Sequence, residues 1–168
     1  MSIALKSTYA YAYLGRADMY RAKGEKELSV ADYKKVIELD TIPSNSSCAQ
    51  YAYMELGDNE NAIDFMNRII ESDKTDAGNY YDAACLYARM GRLEASIEML
   101  RKSFELGYRR FKHIENDDDL NALRTLPEFN ELIKIYKEQH SSEVADKNEN
   151  NFIETVVEVP FTNENDIC

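Results

Sequence analysis

The sequence predicts an all-α solenoid of three helix-turn-helix repeats, and three observations carry that expectation. Over residues 79–107 the apolar positions recur at helical spacing: Tyr80, Ala83, Ala84 and Tyr87 form one face. Leu93, Ile97, Leu100 and Phe104 form another, with Glu94, Glu98, Arg101 and Lys102 turned away from it. A single glycine, Gly91, separates the two runs and supplies the permissive backbone that ends one helix before the next begins. The same local context returns around Gly57 and Gly24, at spacings of 34 and 33 residues. A helical hairpin with one apolar side left over cannot bury that side alone, so the repeats must stack.

The first repeat covers about 10–42. A helix is expected over Ile3–Ala22, a turn at Gly24 and a second helix over Leu28–Leu39. The second repeat, about 43–76, opens with the connector TIPSNSS. Pro43 forbids helix continuation there, and the Ser/Asn cluster offers caps for a helix over Cys48–Leu56, followed by one over Asn59–Glu71. Asn45-Ser46-Ser47 has the form of a glycosylation acceptor, which a chain without a secretory signal gives no reason to use. The third repeat, about 77–107, holds the helices Ala77–Met90 and Leu93–Leu106, with large Tyr80 and Tyr87 flanking the small pair that lets its partner helix come close.

From Tyr108 the pattern changes, and 108–138 reads as a helical cap. Asp117, Asp118 and Asp119 precede LNALR, where carboxylates cap free N–H groups and meet the positive end of a helix dipole. Thr125-Leu126-Pro127-Glu128 is a capping box with an early proline, opening a helix over Phe129–Tyr136. Leu120, Leu123, Phe129, Leu132, Ile133 and Tyr136 supply an apolar side to cover the last repeat. Residues 139–151 lack apolar periodicity and read as a flexible linker. In 152–168 Ile153, Thr155, Val157, Val159 and Phe161 alternate like one side of a β-strand, with Pro160 marking an edge position or the strand's end. One strand is not a domain, so this end is either the start of a truncated β domain or an unstructured acidic tail.

These residues resemble the tetratricopeptide repeat (TPR). The third repeat carries Tyr80, Ala83, Ala84, Tyr87, Gly91, Ser96, Leu100 and Ser103 at the signature positions, and the first carries Tyr13, Ala17, Tyr20, Gly24, Ser29, Tyr33 and Val36. The second matches through Tyr53, Gly57, Ala62, Met66 and Ile69, while Ser46 and Gln50 stand where the usual large and small residues would be. DDDLNALRTLPEFNELI resembles a segment that follows TPR arrays in bacterial proteins, and TVVEVPFT resembles the opening strand of retropepsin-like aspartic peptidase domains attached to such arrays. The second resemblance implies a non-catalytic front of a longer peptidase, since the Asp-Thr-Gly of that family does not occur in the chain.

The TPR resemblance implies a scaffold for protein–protein interaction, in which the first helix of each hairpin lines a concave groove. The residues expected there are Tyr11, Leu14, Asp18 and Arg21, then Ser47, Tyr51, Met54 and Glu55, then Tyr81, Cys85 and Arg89. Several of these have packing between neighbouring repeats as their alternative role. Tyr and Met suit adaptable recognition of a peptide or partner protein. TPRs that bind chaperone tails use a clamp of Lys, Asn and Arg; Leu14, Asp18, Cys48, Gly78 and Asp82 occupy the corresponding places, so such a tail is not the expected ligand. Self-association through the groove is the further alternative.

Composition sets the remaining bounds. A formal net charge of −11 argues against nucleic acid and against an anionic membrane surface as partners. No run of apolar residues is long enough to span a bilayer, and the N-terminal MSIALKSTYA is not a signal peptide, so a cytoplasmic location is expected. Cys48, Cys85 and Cys168 lack metal-ligand spacing and read as reduced thiols. The two histidines, His113 and His140, leave a catalytic triad nothing to draw on, and Arg109, Arg110, Lys112 and His113 read as a solvated turn beside the acidic triplet. No enzyme activity, metal or cofactor is expected.

Overall fold

The computed structural model describes the backbone of residues 3–157 and the side chains of residues 9–142. Three hairpins follow one another: α1 (Ile3–Ala22) with α2 (Lys26–Leu39), α3 (Ala49–Glu55) with α4 (Asn59–Ser72), and α5 (Ala77–Arg89) with α6 (Leu93–Glu105). A short α7 (Phe111–Asn116), a 3-10 turn (Asp118–Leu120) and a long α8 (Pro127–Val157) close the array.

The glycines expected to break the helices do so by one shared device. Gly24, Gly57, Gly91 and Gly107 all sit at positive φ, between 73° and 98°. At Gly91 the next residue, Arg92, donates its N–H to the Tyr87 carbonyl at 2.9 Å, and Gly91 itself donates to Ala88 at 3.0 Å. This pair of bonds satisfies carbonyls left over at the helix end and requires the left-handed conformation that glycine adopts without strain. Glu25 to Tyr20, Asp58 to Tyr53 and Tyr108 to Ser103 repeat the outer bond, each at 2.9 Å.

The small residues act as the sequence suggests. Ser96 on α6 comes near enough to donate its hydroxyl to the Ala84 carbonyl at 2.6 Å, and Ala83 and Ala84 are fully buried. Helix α5 is buried on more sides than its periodicity indicates, because α6, the second hairpin and the cap all lie against it: Asn79, Tyr81, Cys85 and Leu86 are buried too. One core joins the first hairpin to α3 through Ala10, Ala17, Tyr33, Val36, Cys48 and Ala52. A second joins the middle hairpin to α5 through Ala49, Phe65, Met66, Ile69, Ala83 and Leu86. The third and largest fastens the cap to the last hairpin, with Phe104, Phe111, Ile114, Leu120, Leu123, Phe129 and Leu132 at its centre.

The open side of the first hairpin is covered differently. Eight residues before each turn glycine, the second and third repeats carry the buried Ala49 and Ala83, whereas the first carries Arg16. Its guanidinium binds both carboxylate oxygens of Asp32, at 2.6 and 2.8 Å, and lies over the Tyr13 ring at 5.0 Å. A bidentate ion pair lies against an aromatic ring there, where the other repeats bury an alanine.

Three sequence expectations need correction. The cap of α3 is not the Ser/Asn cluster but Asp40, at the end of α2: its buried carboxylate accepts from the N–H groups of Cys48 (2.6 Å) and Ala49 (2.9 Å) and from the Ser47 hydroxyl (3.0 Å). A carboxylate seven to nine residues upstream outcompetes the nearby hydroxyls because it is charged and already fixed by its own helix. Thr125 does not form the capping box, since its hydroxyl turns back to the Ala122 carbonyl at 3.4 Å, although Pro127 does open α8. The linker expected over 139–151, and the strand expected to begin at 152, are instead helix as far as Val157. Neither Gly nor Pro occurs between Pro127 and Pro160, and the intervening Glu, Gln, Lys and Ala favour helix. Missing apolar periodicity does not by itself exclude a helix. Residues 158–168, including Val159 and Phe161 of the expected strand, lie outside the described residues.

Candidate partner-binding groove

The first helices of the hairpins, α1, α3 and α5, bring a line of charged side chains together. On α1, Asp18 accepts a hydrogen bond from the Tyr33 hydroxyl at 2.6 Å, and Arg21 donates to the same hydroxyl at 3.2 Å. Arg21 also lies 3.2 Å from Glu55 on α3 and 4.0 Å from Asp18. Glu55 pairs in addition with Arg89 on α5, and Arg89 reaches Asp119 of the cap at 3.6 Å. One ladder, Asp18–Arg21–Glu55–Arg89–Asp119, therefore crosses all three repeats and ends in the cap. Glu55 is its most buried member, with a side chain 14% exposed, so its two guanidinium contacts are screened less than surface pairs.

Tyrosines line this ladder. Arg89 lies over the Tyr51 ring at 5.4 Å, a cation–π contact that fixes the guanidinium from a second side. Tyr11 is exposed and donates its hydroxyl to the Ser47 carbonyl at 3.3 Å, tying α1 to the start of α3. Burial pushes the Tyr11 hydroxyl up to about 12, with the charges of Cys48, Asp82 and Asp40 adding to it. Tyr81 donates to Asp117 at 2.6 Å, and its ring stacks on Tyr108 with centroids 4.5 Å apart and planes within 10°. His113 lies 3.5 Å from the same Asp117 carboxylate. Asp117, first residue of the acidic triplet, thus joins the cap to α5, while also accepting from the Asp119 N–H at 3.0 Å.

Of the residues expected to line the groove, Asp18, Arg21, Glu55 and Arg89 meet in the ladder, Tyr51 lies under Arg89, and Tyr11 reaches Ser47 instead. Leu14 and Met54 are half-buried against the two inter-repeat cores. Ser47, Tyr81 and Cys85 are 3–4% exposed and serve the packing role instead. Neither buried thiol is an activated nucleophile: burial pushes Cys48 up to about 12 and raises Cys85 further, the neighbouring carboxylates adding to both.

Asp82 differs from the other carboxylates. It stands on α5, half-buried, and burial raises its carboxyl to about 6, with Asp76, Asp117 and Asp119 contributing in the same direction. The two guanidiniums of the ladder are already engaged with Glu55, Asp18 and Asp119, and no ion pair involves Asp82 among the described residues. From sequence this residue entered only as one of those disabling a carboxylate clamp. Asp76 is a neighbour on the same helix start, whereas Asp117 and Asp119 join it because the cap folds back on α5, which no local pattern encodes.

A succession of such hairpins, with turn glycines at 33- and 34-residue spacing, defines a class of helical-repeat interaction scaffolds. Residues 10–42, 51–76 and 77–106 match the tetratricopeptide repeat family, and the chain belongs to it. It is also similar to a chloroplastic protein of Arabidopsis thaliana, with 34% identity over 65 residues; the match covers 39% of this chain but only 19% of that protein. No solved structure matches the chain at a significant level. Among the described residues, no helix is long and apolar enough to cross a membrane.

Proposed function

We propose that the chain works by binding a peptide segment of a partner protein in the concave groove between Tyr11, Tyr51 and the Asp18–Asp119 ladder. The observation that carries this reading is the ladder itself. Five charged side chains from four different elements converge on one face, where opposed layers of apolar core would have sufficed for stability. Exposed Tyr11 and half-buried Tyr51 and Met54 add aromatic and thioether surface of the kind enriched in recognition sites. Leu14, Asp18, Cys48, Gly78 and Asp82 leave no cationic clamp for a free carboxylate, which argues against a chaperone-tail ligand.

Site-specific photo-crosslinking tests the reading. A benzoylphenylalanine placed at Tyr11 should capture a discrete partner through one segment of its sequence, whereas the same group at Glu98, exposed on α6, should not. Capture of the same proteins from both positions, or from Glu98 alone, would refute the concave site.

A further inference from the structure

We infer that the cleft between α7 and α8 binds a small carboxylic acid with an apolar body, its carboxylate held by Arg124 and Lys134. The cavity measures about 500 Å3, within the range of small-molecule sites, and it lies in the cap, so the inference stands or falls apart from the groove. Its apolar lining comes from Phe129 and Ile133, one turn apart on α8. Both side chains are almost fully buried, because they also pack into the core that fastens the cap to the last hairpin. Asn130 and Lys134, again one turn apart, give the same helix its polar edge along the cleft.

The unmet charge in the cleft sets the chemistry of the ligand. Arg124 donates from Nη1 to the Asn121 side-chain oxygen and from Nη2 to the Asp117 carbonyl at 2.6 Å, both of them neutral acceptors. Its Nε–H is buried without an acceptor, and no carboxylate forms an ion pair with it among the described residues. Most of the donors of this fork therefore stay unused, and the half-buried guanidinium keeps an uncompensated charge. Lys134, exposed on α8, makes no hydrogen bond or ion pair among the described residues. Lys137 is different, since Glu115 on α7 already neutralises it. Two free cations then face one free carboxylate, the exposed Glu138, which lies about three turns along α8 from the end where Arg124 stands. A carboxylate accepts from the guanidinium fork and from the ammonium together, while its apolar body covers Phe129 and Ile133. A neutral ligand would leave the buried donor unmet, and an amine would meet two like charges.

Titration of the isotopically labelled full chain with hexanoate, hexanamide and hexylammonium, read by NMR at the Ile133 methyls and the Arg124 Nε–H, tests this. Hexanoate should move both signals saturably and bind about tenfold or more tighter than hexanamide, and hexylammonium should leave them in place. The methyls of Ile42, exposed in the connector before α3, should not respond. Lys134→Gln touches no contact of the fold and should weaken hexanoate several-fold, whereas Lys23→Gln, an exposed charge in the turn after α1, should not. Arg124→Gln should abolish the preference for hexanoate over hexanamide. Equal affinity for the acid and its amide, shifts that do not saturate or that appear equally at Ile42, or equal effects of the two lysine substitutions would overturn the inference.

Discussion

Replacing Asp82 by asparagine should make the protein more stable at neutral pH. The carboxyl titrates near 6 in the fold against 3.8 for the ordinary group, burial being the main cause and Asp76, Asp117 and Asp119 the rest. At about 1.4 kcal/mol per pH unit, a fully buried group with that difference would favour the unfolded chain by about 3 kcal/mol at pH 7. Asp82 keeps part of its contact with water, which reduces the effect to about 1–2 kcal/mol. The sign follows from proton counting. Between pH 3.8 and 6 the folded state holds more protons than the unfolded one, so stability falls as pH rises through that window. Asparagine has the same shape and no charge, and the variant should melt about 3–6 °C above the parent at pH 7. The difference should shrink as pH is lowered through that window and vanish below about pH 3, where Asp82 is protonated in both states. Thermal unfolding of both proteins at pH 7 and at about pH 4.5 gives the answer. An asparagine variant less stable than the parent at pH 7, or a gap that does not narrow on acidification, would refute the argument that this carboxylate is desolvated and unpaired.

Three other outcomes follow from the same geometry. Asp40→Ala leaves the buried N–H groups of Cys48 and Ala49 without an acceptor and should cost about 3 kcal/mol, read as a lowered urea midpoint with unchanged slope. Tyr81→Phe keeps the stack on Tyr108 but removes the 2.6 Å bond to Asp117; hydrogen exchange should quicken in 108–120 by about tenfold while α1 and α2 are unaffected. Truncation after Glu138 should reduce helical ellipticity by the equivalent of the 19 residues 139–157, and an unchanged total signal would restore the linker reading of that stretch.

What could be read from sequence was what is local. The turn glycines and the spacing of Tyr80, Ala83, Ala84 and Tyr87 are consequences of helix geometry within one hairpin, and the left-handed glycine recurs at Gly24, Gly57 and Gly91. That Asp18, Arg21, Glu55 and Arg89 belong to the first helices was legible from their places before the turn glycines. Their union into a ladder was not, since it depends on how hairpins stack. Asp117 and Asp119 were read as helix caps, and Asp117 is one; that they also reach Tyr81 and Arg89 depends on a cap folding back on α5 across about 30 residues or more. Asp40 was passed over as the cap of α3 because the nearer Ser/Asn cluster fits the usual local pattern. The extent of α8 escaped for a different reason: the stretch beyond residue 138 was judged by apolar periodicity, while its run of helix-favouring residues without Gly or Pro was left out of account.

The most direct test of the groove as the working surface is a tyrosine- and methionine-resolved NMR titration of the full chain with a synthetic peptide spanning the partner segment captured at Tyr11. Resonances of Tyr11, Tyr51 and Met54 should move together and saturate, while those of Met19 and Tyr9, exposed on α1, stay in place. Shifts confined to Met19 and Tyr9, with the groove residues unmoved, would contradict the account.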